Sequence, residues 1–140
     1  MLFRTAGPEE LAPVYGLLGY LYHVLGRGEE SGGHYREALR LDPRWVEKAN
    51  RDAWRMATSP RTTPWRAGLA LLYARQASQA TRERDVSILE TRAAAEAATG
   101  QRDEAARTIR KAVALVSESA DPVRYNALQQ RLRLYEEGTP

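Results

Sequence analysis

The feature that most constrains this chain is a spacing of large and small side chains that returns along its length. In residues 12–43, APVYGLLGYLYHVLGRGEESGGHYREALRLDP, three large residues, Tyr15, Leu18 and Tyr22, stand three and four positions apart. Such spacing places them on one face of a helix. Gly19 lies within that helix and Ala38 within the next, small residues where two helices can cross closely. Gly26 falls between the helices, where a positive φ ends the first. Asp42-Pro43 then stops the second helix and starts another, because proline is tolerated only in a first helical turn.

Part of the pattern returns at 86–116, VSILETRAAAEAATGQRDEAARTIRKAVALV. Leu89, Ala93, Gly100, Ala105, Ile109 and Ala112 take the corresponding places. Arg92 and Glu96 stand where large apolar residues are expected, so this first helix should pack less tightly. Between these segments, RWVEKANRDAWRMAT offers Ala49, Ala53 and Met56, with Asp52 at an expected leucine position. The stretch Thr58 to Arg66, with Pro60 and Pro64, interrupts the helical period and reads as an inserted loop, the most mobile internal segment. After Asp121-Pro122 a last helix is expected to about Glu136, with Leu128, Leu132 and Tyr135 along one side and Gly138 and Pro140 ending it.

These residues resemble the tetratricopeptide-repeat (TPR) family, strongly in the first and third segments and loosely in the second, over nearly the whole chain. Tyr15, Leu18, Gly19, Tyr22, Ser31, Tyr35, Ala38 and Pro43 fill the family pattern, with Tyr15 and Ser31 as ordinary substitutes. The resemblance implies an all-α fold, an α-solenoid of about three TPR helix pairs with a C-terminal capping helix, in one domain. The units fall at about 12–45, 46–85 and 86–119, the second stretched by about six residues over the usual 34, and the terminal helix at about 121–136.

The 140 residues fit one domain. At 43% hydrophobic and 28% charged, they are too apolar for a disordered chain. The net charge of +3 rests almost wholly on arginine, with Lys48 and Lys111 the only lysines. Acidic residues are interspersed with the arginines, so no one-sided basic stripe marks a nucleic-acid binder. Cysteine is absent, which removes disulfides and thiol chemistry. Met1 to Glu10 lacks an apolar signal-peptide core, and the apolar run from Val14 to Leu25 is too short to span a bilayer. A cytoplasmic protein that engages neither nucleic acid nor membrane is expected.

Catalysis and cofactor binding find no support in the residues. Gly26, Gly28, Gly32 and Gly33 lack the lysine and hydroxyl of a phosphate loop and follow no strand. His23 and His34, without cysteine, make a poor metal site. The adjacent pairs Glu9-Glu10, Glu29-Glu30 and Glu136-Glu137 point to different sides of a helix and read as solvated faces. Neither a catalytic residue nor a cofactor nor a metal is expected.

The family resemblance implies binding of another protein or peptide in a concave groove lined by the first helix of each unit. Carried onto this chain, the groove positions are Tyr20 and His23, then Asn50, Arg51 and Trp54, then Glu90, Thr91 and Ala94. Trp54 would offer a rigid aromatic platform, while Asn50 and Arg51 hold a backbone or a carboxylate. Trp45, after Pro43, is expected in the core, and Trp65 anchors either the inserted loop or a partner. The function expected is a non-catalytic interaction scaffold; the alternative is a C-terminal capping portion of a longer array or multidomain protein. The first helix is apolar almost all round, since Leu17, Leu18, Tyr20, Leu21, Tyr22, Val24 and Leu25 cannot all face one partner helix. Glu9 to Pro13 is too short to cap it, so a homodimer through this helix, or a partner over it, is expected.

Overall fold

The computed structural model describes residues 5–138; Pro140, expected to help end the last helix, lies outside them. Seven helices follow one another, α1 (Pro8–Val24), α2 (Gly28–Leu41), α3 (Trp45–Thr58), α4 (Pro64–Ala80), α5 (Val86–Ala98), α6 (Arg102–Leu115) and α7 (Pro122–Glu137). No strand occurs among the described residues. None of these helices is long and apolar enough to cross a membrane. The chain divides into two compact bodies, residues 1–48 and 49–140.

In the first body α1 packs on α2. Helix α1 starts earlier than the sequence suggests, with Pro8 in its first turn and Glu9 and Glu10 beside its positive end. Pro13 therefore sits inside the helix. The two helices approach most closely at Gly19. Ser31 Oγ donates to the Gly19 carbonyl at 2.6 Å, and a Cβ on Gly19 would meet the Ser31 carbonyl oxygen at 3.1 Å. One turn further along, the Tyr22 ring stacks on His34 with centroids 4.9 Å apart, and the Arg27 guanidinium lies over the Tyr22 ring, 5.1 Å from its centroid. Below α2 the buried Asp42 accepts from the Arg44 N–H at 2.9 Å and from Lys48 Nζ at 2.6 Å. These two bonds hold the Asp42 carboxyl below its ordinary range, Lys48 contributing more.

In the second body α4 packs on α5, α5 on α6 and α6 on α7. The core around α5 and α6 is Leu89, Ala93, Ala105, Ile109, Ala112 and Leu128, all fully buried, with Leu132 and Tyr135 of α7 against it. The pair α5/α6 repeats the internal geometry of α1/α2. Gly26 and Gly100 take φ of 77° and 84°. Arg27 and Gln101, which follow them, have nearly the same φ and ψ. In both turns the N–H after the glycine reaches back five residues, Arg27 to the Tyr22 carbonyl and Gln101 to the Glu96 carbonyl, each at 2.8 Å. This is the glycine-terminated helix end in which two orphan carbonyls are satisfied at once.

At the position of the Tyr22–His34 stack, the second body carries a different contact. Thr108 Oγ1 donates to Glu96 Oε1 at 2.6 Å, and both side chains are buried. Arg92 places its Nε 3.6 Å from the second Glu96 oxygen and donates to Glu83 at 2.7 Å. Lys111 also reaches Glu83, at 3.2 Å. The polar residues expected to loosen α5 are therefore the ones that tie it to α6 and to the end of α4. That end is strained, with Arg82 and Glu83 both left-handed at φ of 55° and 56°. The clamp on the Glu83 carboxylate by Arg92, and then by Lys111, holds the turn and lowers the Glu83 pKa.

The interruption between α3 and α4 is shorter than the sequence implies. Helix α4 already begins at Pro64, because the Thr63 side chain accepts from the Arg66 N–H and caps it. Trp65 thus lies in the first turn of α4, half exposed, while Trp45 is buried.

Two measurements test this packing. Gly19→Leu should destabilise the chain by about 1–3 kcal/mol through over-packing at the crossing where a Cβ already stands 3.1 Å from the Ser31 carbonyl oxygen, and by more than Gly19→Ala; urea unfolding midpoints read both. Tyr73 of α4 is buried, and that burial, helped by the Asp52 carboxylate, raises its phenol to about 12 from an ordinary 10.0. Its neutral form is the one the fold favours, so this contribution is full below pH 10.0 and is lost as pH rises through about 12. Alkaline titration of phenolate absorbance should show a late component that Tyr73→Phe removes.

Candidate functional site

A cleft of about 790 Å³ opens in the second body. One wall comes from α3, with Trp54, Ala57 and Thr58, and one from α5, with Ala94, Ala97 and Ala98. Helix α7 supplies Arg131, Leu134 and Tyr135, and Arg102 stands at the start of α6. The alanines of α5 make this depression. Residues 93–98 read AAAEAA, and side chains that end at Cβ leave the space beside the Trp54 ring unfilled.

Helix α7 fixes the chemistry of the rim. Asp121 caps it by accepting from the Arg124 N–H at 3.1 Å. Leu128 is fully buried in the core, and the helical period then turns Arg131 and Leu134 toward the cleft. The Arg131 guanidinium lies over the Trp54 indole, 5.0 Å from its centroid, a favourable cation–π geometry. Two turns back, Arg124 pairs with Glu90 of α5 at 2.9 Å. On the far side, Arg110 of α6 pairs with Glu136 at 2.9 Å. These contacts leave Arg102 and Arg131 as cationic groups around an aromatic and aliphatic floor.

The residues expected to form a groove are distributed as follows. Tyr20, buried, and His23, exposed, belong to the first body. In the second body, Asn50 Nδ2 donates to Ser87 Oγ at 3.4 Å, which links α3 to the start of α5. Arg51 is exposed. Trp54 lines the cleft with Ala94. Glu90 is held by Arg124 of α7 and does not line the cleft. Thr91 lies inside the protein, 1% exposed, and its hydroxyl donates to the Ser87 carbonyl of its own helix. The side of α3 and α5 on which a ligand is expected is therefore partly taken by α7.

Arg102, Arg131, Leu134 and Tyr135 are the large cleft residues that lie outside the groove positions marked by the repeat spacing. Tyr135 is recognisable from the Leu128, Leu132, Tyr135 stripe, and Arg131 and Leu134 directly precede two of its members, Leu132 and Tyr135. Nothing in the chain indicates which helix this stripe would approach.

Neither histidine belongs to the cleft. The His34 ring stacks on Tyr22 and lies 5.9 Å from the tilted ring of Tyr15. Among the described residues no group of three or more histidine, aspartate or glutamate side chains could hold a metal ion.

Removing the rim cation should expose the indole without unfolding the body. Arg131→Ala is expected to cost about 0.5–1 kcal/mol and to increase quenching of tryptophan fluorescence by acrylamide, whereas Arg133→Ala, on the exposed side of α7, should change neither.

No protein-family model, no curated protein and no solved structure matches this chain.

Proposed function

We propose that this chain is a non-catalytic binding module of TPR type, an α-solenoid of three helix pairs with a terminal helix, which holds a segment of another polypeptide in the Trp54 cleft. The observation that carries the reading is the composition of that cleft. A tryptophan face and four alanines offer apolar area on rigid helices, and an anchor residue loses little freedom in meeting them. Arg102 and Arg131 at the rim supply fork-shaped donors suited to a carboxylate. The partner class is thus a peptide with a large apolar residue close to an acidic residue or a free C-terminus. The matching turns, caps and close crossings of α1/α2 and α5/α6 support the repeat reading.

A second reading is that the chain is the C-terminal capping portion of a longer array or a multidomain protein. Helix α7 favours it: one side buries Leu128 and the other carries Gln130, Arg133 and Glu137 to the exterior. A polar outer surface of this kind ends a repeat stack.

Selection from a displayed random-peptide library tests the first reading. Wild-type protein should enrich sequences that combine an aromatic or leucine with aspartate, glutamate or a free C-terminal carboxylate. The variant Trp54→Ala, Arg131→Glu should lose them while keeping its helical circular dichroism. Enrichment that survives the double substitution would place binding elsewhere, and no enrichment on either protein would leave the capping reading as the better one.

A further inference from the structure

Several arginines of this chain are neutralised by a glutamate one helical turn away. Arg27, Arg40 and Arg107 each pair with a glutamate three positions distant, and Arg92 approaches Glu96 four positions on. Side chains at those spacings are neighbours on a helix surface. The two arginines of the Trp54 cleft have no such neighbour. Three and four positions from Arg131 stand Ala127, Leu128, Leu134 and Tyr135, and from Arg102 only alanines and a threonine. Among the described residues lining the cleft none is acidic.

The contacts that Arg131 does make are weak ones for a guanidinium. It lies over the Trp54 indole, 5.0 Å from the centroid, and its Nη1 donates to the Tyr135 hydroxyl at 3.4 Å. A cation–π contact in an open cleft and a long hydrogen bond to a neutral phenol both give way to a forked, charge-assisted bond with a carboxylate. Yet the guanidinium occupies the ring face that the cleft would offer to an apolar anchor. We propose, on the reading of this cleft as a peptide site, that Arg131 is its gate, resting on the Trp54 indole and leaving it only for a carboxylate carried beside an apolar anchor.

A neutral apolar segment must move Arg131 off the ring and gives that cation nothing in exchange. An acidic segment replaces the lost contact with a stronger one and uncovers the ring in the same movement. The charge of the ligand therefore raises the affinity of its apolar group. Specificity of this kind comes from a penalty on the wrong ligand as well as from attraction to the right one. Arg102 has a different part. It packs against Gly138, where a Cβ would stand 2.7 Å from its Nη1, so its loss weakens the attraction without uncovering the indole.

Fluorine NMR of the full chain labelled with fluorotryptophan tests the gate. The chain has three tryptophans, and Trp54→Phe assigns the resonance in the cleft. Before any ligand is added, Arg131→Ala should increase the solvent-isotope shift of that resonance. An unchanged shift would show that Arg131 does not cover the ring and would overturn the gate, whatever the cleft binds. Three peptides then separate the sources of charge: acetyl-Ala-Leu-Asp-Ala-amide, its neutral Asn counterpart, and acetyl-Ala-Ala-Leu with a free carboxylate. Wild type should prefer at least one acidic peptide over the neutral one by about tenfold, and the one preferred identifies the source. Arg131→Ala should bind the neutral peptide more tightly than wild type does and prefer acid by less than about threefold. Arg102→Ala should weaken the acidic peptides and leave the neutral one as it was. An acid preference that survives Arg131→Ala, or a neutral peptide that binds no better to it, would overturn the gate and leave the peptide site standing. A Trp54 resonance that none of the peptides moves, in either protein, would remove the peptide reading and the gate with it.

Discussion

Close approach of two helices at a pair of small residues is the constraint on which the rest of this protein depends. Where Gly19 meets Ser31, the helix backbones come near enough for the serine hydroxyl to reach a helical carbonyl at 2.6 Å. A Cβ on Gly19 would stand 3.1 Å from the Ser31 carbonyl oxygen, a tight contact. Ala93 and Ala105 hold the same places in α5/α6, both fully buried. A crossing this tight brings the neighbouring positions into contact, and what sits there differs between the bodies. In one, two rings stack; in the other, a threonine donates to a buried glutamate. The backbone frame accommodates both, and in the second body the buried Glu96 carboxylate is satisfied by the Thr108 hydroxyl.

The Glu96 contact shows how one helix pair is coupled to its surroundings. A buried carboxylate is costly unless it is paired and hydrogen-bonded. Glu96 has Thr108 on one side and Arg92 on the other, and Arg92 passes the connection to Glu83. Glu83 in turn fixes a turn of two left-handed residues that no glycine relieves. The polar positions of α5 thus set the path of the chain out of α4 as well as the packing of α5 on α6. The cleft follows from the remainder of the same helix: the alanines that let α5 lie close to its neighbours also leave room beside Trp54.

The Trp54 cleft is concave and cationic at its rim, and the segment proposed for it would be oriented by its charge and held by its apolar anchor.

The sequence by itself determined the helical class, the glycine turns at Gly26 and Gly100, the small residues at the crossings and the unmatched apolar face of α1. These are local properties: a period of 3.6, a residue able to take positive φ and a side chain without bulk act through neighbours a few positions away. Tertiary structure alone decided where α7 lies, and with it the character of the candidate site. Repeat spacing marks Trp54, Glu90 and Thr91 alike, yet Thr91 is enclosed, Glu90 is paired with Arg124, and only Trp54 lines the cleft, under Arg131. Those outcomes depend on contacts between residues 34 or more positions apart, Glu90 with Arg124 and Trp54 with Arg131. No short-range periodicity encodes such a pairing, because it is fixed by which helix face remains to be covered once the core has formed.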